Sequence, residues 1–265
     1  MDPEVVADRF FSEYLGADLS RVAEGEPCLA VSPRRGRPEM GYGYTALVWM
    51  LLTRGRMAVS VHPAVEGLVA DWLRHLRSPC AAPASEALEK LARACNSQSD
   101  VPIPDRVRVG PESSVAVCGP STLRTVHLQE VRRVLHWDLP ALSRAGLYDD
   151  SLDASIEEGT CFMTLAEGEP VSLSGTHRVP HMADEVSDLN IPGTLAAHRR
   201  KGHGSTCASA TTRAVVELGR IGVWGSSPDN AASLATRRAL GYSDYARGFK
   251  IIAQRNSRFW AESAE

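Results

Sequence analysis

His198-Arg199-Arg200-Lys201-Gly202-His203-Gly204-Ser205 is the stretch on which the reading of this chain turns. It stands between a strand-like segment, residues 185–191, and a segment of helical pattern, residues 205–218. Between Ala197 and Val216 there are four Arg or Lys and two His, with no Asp or Glu, which concentrates positive potential. The first turn of a helix has unpaired N–H groups and the positive end of the dipole, and glycines let an anion approach the main chain closely. An anion site is therefore expected on Arg199, Arg200, Lys201, Gly202, His203, Gly204 and Ser205. A basic Gly-x-Gly turn also fits an ordinary turn, so its surroundings have to decide.

Around it the pattern alternates between strands and helices. Strands are expected at residues 115–118, 161–165, 170–175, 185–191, 221–225 and 246–253, and helices at 122–134, 205–218 and 230–240, with Trp137-Asp138-Leu139-Pro140 as a break. Ala166-Glu167-Gly168-Glu169 joins the second and third strands as a hairpin. The first half predicts an amphipathic helix at 2–15, a strand at 27–32 and a hairpin at 44–61 turning at Thr53-Arg54-Gly55-Arg56. It also predicts helices from Pro63, ended by Ser78-Pro79, and at 85–95. A polar, Pro-rich stretch at 96–111 is the expected connection. The fold class is mixed α/β with a twisted sheet, in two domains: 1–112, a smaller α/β domain, and 113–265.

The spacing Arg199-x-x-Gly202-x-Gly204 entering a helix is followed, after a strand, by Pro228-Asp229-Asn230-Ala231-Ala232-Ser233 and then Ala239-Leu240-Gly241-Tyr242. In order and separation this resembles the GNAT superfamily of acyltransferases over roughly residues 115–253. The resemblance implies a GNAT-like C-terminal domain, with 1–112 as an added acceptor-binding domain or a degenerate GNAT-like half. It implies acetyl-CoA or another coenzyme A thioester as acyl donor and a small-molecule amine as acceptor. The pyrophosphate then falls on residues 199–205 and the pantetheine on Asn230.

Two positions depart from the family. Its usual thiolate-protonating Tyr is replaced by Arg237, which cannot give up a proton at neutral pH. Tyr242, Tyr245 and Ser233 are the substitutes by proximity, and Tyr242 equally suits a core position, as aromatic residues at that place commonly do. Pro192 removes a main-chain donor from the strand before the loop and either weakens the grip on pantetheine or shapes a bulge there. The amine must lose a proton, so a general base is expected on that strand, Asp188 or Glu185, which alternate between faces. His177 and His181, flanking Pro180, are further candidates.

Composition excludes several classes. The formal charge of −3 gives no global reason for nucleic acid or an anionic membrane as partner. The longest apolar run, residues 46–52, is far short of a membrane span, and the amino terminus lacks the basic start of a signal peptide, so a cytoplasmic protein is expected. Six cysteines without a CxxC pair argue against a metal. No Walker loop, dinucleotide fingerprint or Gly-x-Ser-x-Gly elbow occurs. Two competing readings keep the fold. One uses aminoacyl-tRNA or a carrier-bound acyl group, its phosphates held by Arg199–Lys201 and Arg237–Arg238. The other is a catalytically silent ligand-binding module.

Overall fold

The computed structural model describes residues 2–37, 44–76, 81–97, 107–177, 179 and 181–254. The expected break at Ser78-Pro79, Pro180, and most of the expected connection at 96–111 lie outside them. In chain order the elements are α1 (Pro3–Leu15), β1 (Pro27–Val31), β2 (Tyr44–Thr53), β3 (Arg56–Val61), α2 (Glu66–Arg74), α3 (Ser85–Ser97), β4 (Arg108–Val109), β5 (Ser113–Cys118), β6 (Val131–Arg133), α4 (Leu139–Arg144), α5 (Asp153–Glu158), β7 (Phe162–Ala166), β8 (Glu169–His177), β9 (Val186–Thr194), α6 (His203–Glu217), β10 (Ile221–Ser226), α7 (Ala231–Ala239) and β11 (Ser243–Gln254). This is a mixed α/β protein. Its contacts divide it into two compact units, one of Met1–Ala7 with Ala116–Asp244 and the other of Asp8–Val115 with Tyr245–Glu265. The expected division at 112/113 lies close to the crossing at Val115/Ala116, while the first seven residues and those from Tyr245 onward are exchanged between the units.

In the second unit β1 runs parallel to β3, β3 antiparallel to β2, and β2 antiparallel to β11. The β2–β3 turn puts Arg54 and Gly55 both at positive φ, 47° and 73°, as a two-residue hairpin requires. Leu47, Met50, Val59, Val69, Leu88 and Leu91 form its buried core.

In the first unit the strand order is β5-β10-β9-β8-β7-β6. Glu167 and Gly168 close the β7–β8 hairpin with φ of 52° and 84°. Two apolar clusters serve this sheet. Leu142, Leu152, Ile156, Met163 and Leu173 form one; Ala116, Leu189, Ala208, Trp224, Leu240 and Tyr242 form the other, on the α6 face.

Two expectations fail here. Residues 123–130 are not helical, although Leu123, Val126, Val131 and Val134 have helical spacing; they run without regular structure along α6, bend at 128–129 and lead into β6. Leu123 and Val126 still pack on the second cluster. The main chain finds hydroxyl acceptors on α6 instead of its own carbonyls: Val126 N–H donates to Ser209 Oγ at 2.9 Å and Leu128 N–H to Thr206 Oγ1 at 3.1 Å. Nor does Pro140 break the chain, since it sits in the first turn of α4, where a missing N–H costs nothing.

Candidate functional site

The loop before α6 has the local geometry of an anion cradle. Arg199 is extended, Arg200 is left-handed at φ 61°, and Gly202 caps α6 at φ 88°. A left-handed Arg costs about 1–2 kcal/mol, so the surrounding structure must impose it. Thr206 N–H bonds to Gly202 O at 3.0 Å as the first helical bond. Among the described residues no acceptor takes the N–H groups of residues 200–205. Arg199, Arg200 and Lys201 are exposed beside them, and Arg199 Nε folds back to Thr194 O at 3.1 Å.

The two glycines are set by close approach. A Cβ on Gly202 would lie 2.7 Å from Leu128 Cβ, and one on Gly204 would lie 2.9 Å from Thr194 Oγ1. His203 differs from expectation: its ring is buried, Nδ1 is 3.0 Å from Thr164 Oγ1, and its edge meets the His198 ring. Burial, then the neighbouring His198 and Lys201, hold it below the ordinary imidazole value. Its side chain supports the loop, and only its N–H faces the cradle.

The strand before the loop pairs unevenly with its neighbours. β9 runs parallel to β10 over three pairs only, Val186↔Ile221 to Asp188↔Val223. On its other side, two steps of β8 (Leu173 to Gly175) oppose three steps of β9 (Gly193 to Asn190). That bulge contains Pro192, where a missing donor does least harm.

Asp188 and His177 are directly paired in the β8–β9 ladder and so share a face, with Cβ atoms about 4.5–5.5 Å apart. Leu189 packs with Ala208 of α6, so alternation puts Asp188 on the opposite face. Burial pushes His177 below its ordinary value, with Asp149 pulling the other way. Glu185 precedes β9, and its carbonyl accepts Ile221 N–H at 2.8 Å.

Other predicted residues are placed differently. Tyr242 is in the core: its hydroxyl bonds Thr212 Oγ1 at 3.0 Å, its ring meets Trp224 edge-on, and burial raises its pKa well above the ordinary phenol value. Enclosed in this way it has no access to a leaving thiolate, so the expected role of Tyr242 as proton donor does not hold. Arg237, 1% exposed, is ion-paired with Asp244, so it offers nothing to a phosphate. Asn230 caps α7 through Ser233 N–H at 3.1 Å, and Ser233 Oγ accepts the Trp224 indole N–H at 2.9 Å. Cys161 and Cys207 are pushed by burial up to about 12 and about 11, which makes them inert thiols. Among the described residues no group of three metal-ligating side chains occurs, and no helix is long and apolar enough to cross a membrane.

Sequence reasoning missed Leu128 and Gln129, whose side chains reach the loop; read as helical, that segment carries no signal for this contact.

No protein-family model and no curated protein matches the chain. Among solved structures it is similar to a GCN5-related N-acetyltransferase from Kribbella flavida, at 18% identity and a TM-score of 0.45, covering 57% of this chain and 62% of that one. It is also similar to a GCN5-related N-acetyltransferase-like protein from Streptococcus suis 89/1591, at 14% and 0.46, covering 77% and 84%. A third is an acetyltransferase from the GNAT family from Colwellia psychrerythraea, at 13% and 0.42, covering 54% and 57%. The chain thus spans less than two thirds of the Kribbella and Colwellia proteins.

Proposed function

We propose that this chain transfers an acyl group, acetyl in the simplest case, from a coenzyme A thioester to a small amine, as the GNAT-like motifs imply. One observation carries the reading: a run of acceptorless N–H groups, residues 200–205, heads a 15-residue helix beside three exposed cations. Such a group of donors suits a diphosphate. From there the pantetheine arm follows β9 toward Asp188, along the side where β9 and β10 part.

The amine nitrogen attacks the thioester carbonyl, the C–N bond forms, and the C–S bond breaks. Asp188, with His177 beside it, takes the ammonium proton. A His177 held low is neutral at pH 7 and able to accept one. With Tyr242 and Arg237 enclosed, the thiolate leaves to solvent or takes the Ser233 hydroxyl proton, since that oxygen only accepts from Trp224. Most of the acceleration comes from holding the two reactants in line.

The test is calorimetry with coenzyme A followed by thiol release from acetyl-CoA with a panel of amines. At 100 times its dissociation constant coenzyme A adds about 2.7 kcal/mol of stability. Arg199→Glu abolishes binding and leaves the fold intact; Gly204→Asp abolishes it too, with a loss of stability from the Cβ set against Thr194 Oγ1. Absence of binding to the unaltered chain overturns the reading; binding without thiol release makes the chain a silent ligand-binding module.

A further inference from the structure

We propose that Gln129 is a positioning residue that locks the Lys201–Gly202 peptide so that the Gly202 N–H faces the anion; this rests on the donor reading above. Gln129 Nε2 donates to Lys201 O at 2.6 Å. In a trans peptide the C=O and N–H point in opposite directions, so a carbonyl held by Gln129 turns the following N–H away from residue 129.

The lock is needed because of the backbone around it. Gly202 at φ 88° has no Cβ to resist rotation of the adjoining peptide, and Arg200 at φ 61° is already strained. A flip would present the Lys201 carbonyl where a donor stood and repel an anion. Gln129 can resist this only if its own main chain is fixed. Leu128 N–H is tied to Thr206 Oγ1 and Val126 N–H to Ser209 Oγ, both hydroxyls on α6. Leu128 is 64% exposed, yet its Cβ lies against Gly202. A leucine so little buried gains little from its own burial; what its position does is hold the segment before β6 against the turn.

The experiment compares the unaltered chain, Gln129→Ala and Gln129→Glu by calorimetry with coenzyme A and with pantetheine, which lacks the diphosphate. Loss of one hydrogen bond weakens coenzyme A binding about five-fold in Gln129→Ala. Gln129→Glu weakens it further, because a carboxylate has no N–H to give and repels the carbonyl. Pantetheine binding and the melting temperature are the same in all three, which a merely structural role would not produce. Amide exchange at residues 202–205 without ligand is faster in Gln129→Ala. If coenzyme A binds the unaltered chain and Gln129→Ala equally, or if pantetheine is weakened as much as coenzyme A, the lock is wrong and the donor reading stands. If the unaltered chain does not bind coenzyme A, both fall.

Discussion

Gly204→Ala tests whether the head of α6 is pressed against the end of β9. The added Cβ would lie 2.9 Å from Thr194 Oγ1, about half an ångström inside ordinary contact. Thr194 Oγ1 is hydrogen-bonded to Ser172 Oγ at 2.8 Å, so it cannot yield without giving up that bond. The lost bond costs about 1 kcal/mol and the overpacking about another 1 kcal/mol. Replacing a helical glycine by alanine returns about 0.5 kcal/mol. The expected result is destabilisation by about 1.5 kcal/mol. In a Thr194→Ala background the obstructing oxygen is gone, and the same change stabilises by about 0.5 kcal/mol. Urea denaturation of the four chains in the cycle measures a coupling of about 2 kcal/mol between the sites. The same loss in both backgrounds would refute the claim that this contact demands glycine.

Tyr242→Phe loses about 1 kcal/mol of stability with its Thr212 bond and keeps full acyl transfer; a hundred-fold fall in turnover would return Tyr242 to the reaction. Asp244→Ala leaves the Arg237 guanidinium buried without its carboxylate and costs about 2 kcal/mol, discounted because Asp244 is exposed, whereas Arg237→Met costs less by thermal denaturation. His203 is held below 6.5 in the folded chain, so on acidification the unfolded chain takes up its proton first. Stability is therefore full above 6.5 and falls as pH drops below it, and His203→Gln flattens that slope in urea titrations from pH 7.5 to 5.

The glycine turn into α6 was legible because its signals are local: adjacent cations, two glycines and the start of a helix. The β7–β8 hairpin was legible through Glu167-Gly168, and α7 through Asn230 and the Gly241 stop. Residues 122–134 misled because their helical stripe is real, yet the hydroxyls of Thr206 and Ser209 outcompete the helix from eighty residues away. The burial of Arg237 was invisible for the same reason, since Asp244 decides it in space, whereas a core place for Tyr242 was already suggested by its position after Leu240-Gly241. Opposite-face alternation on β9 was readable, but the pairing of Asp188 with His177 was not, because it depends on the β8–β9 register.

The brevity of the β9–β10 ladder sets a length scale. Thr194 touches the head of α6 and Asp188 lies six residues earlier, so at about 3.3 Å per residue the two are about 20 Å apart, a little less across the bulge. A molecule moored by its anion at the first turn of α6 brings a reactive end to Asp188 only if its tether is that long. On the proposed donor reading, the span between mooring and carboxylate acts as a ruler, and stubby acyl phosphates would fall short of the mark.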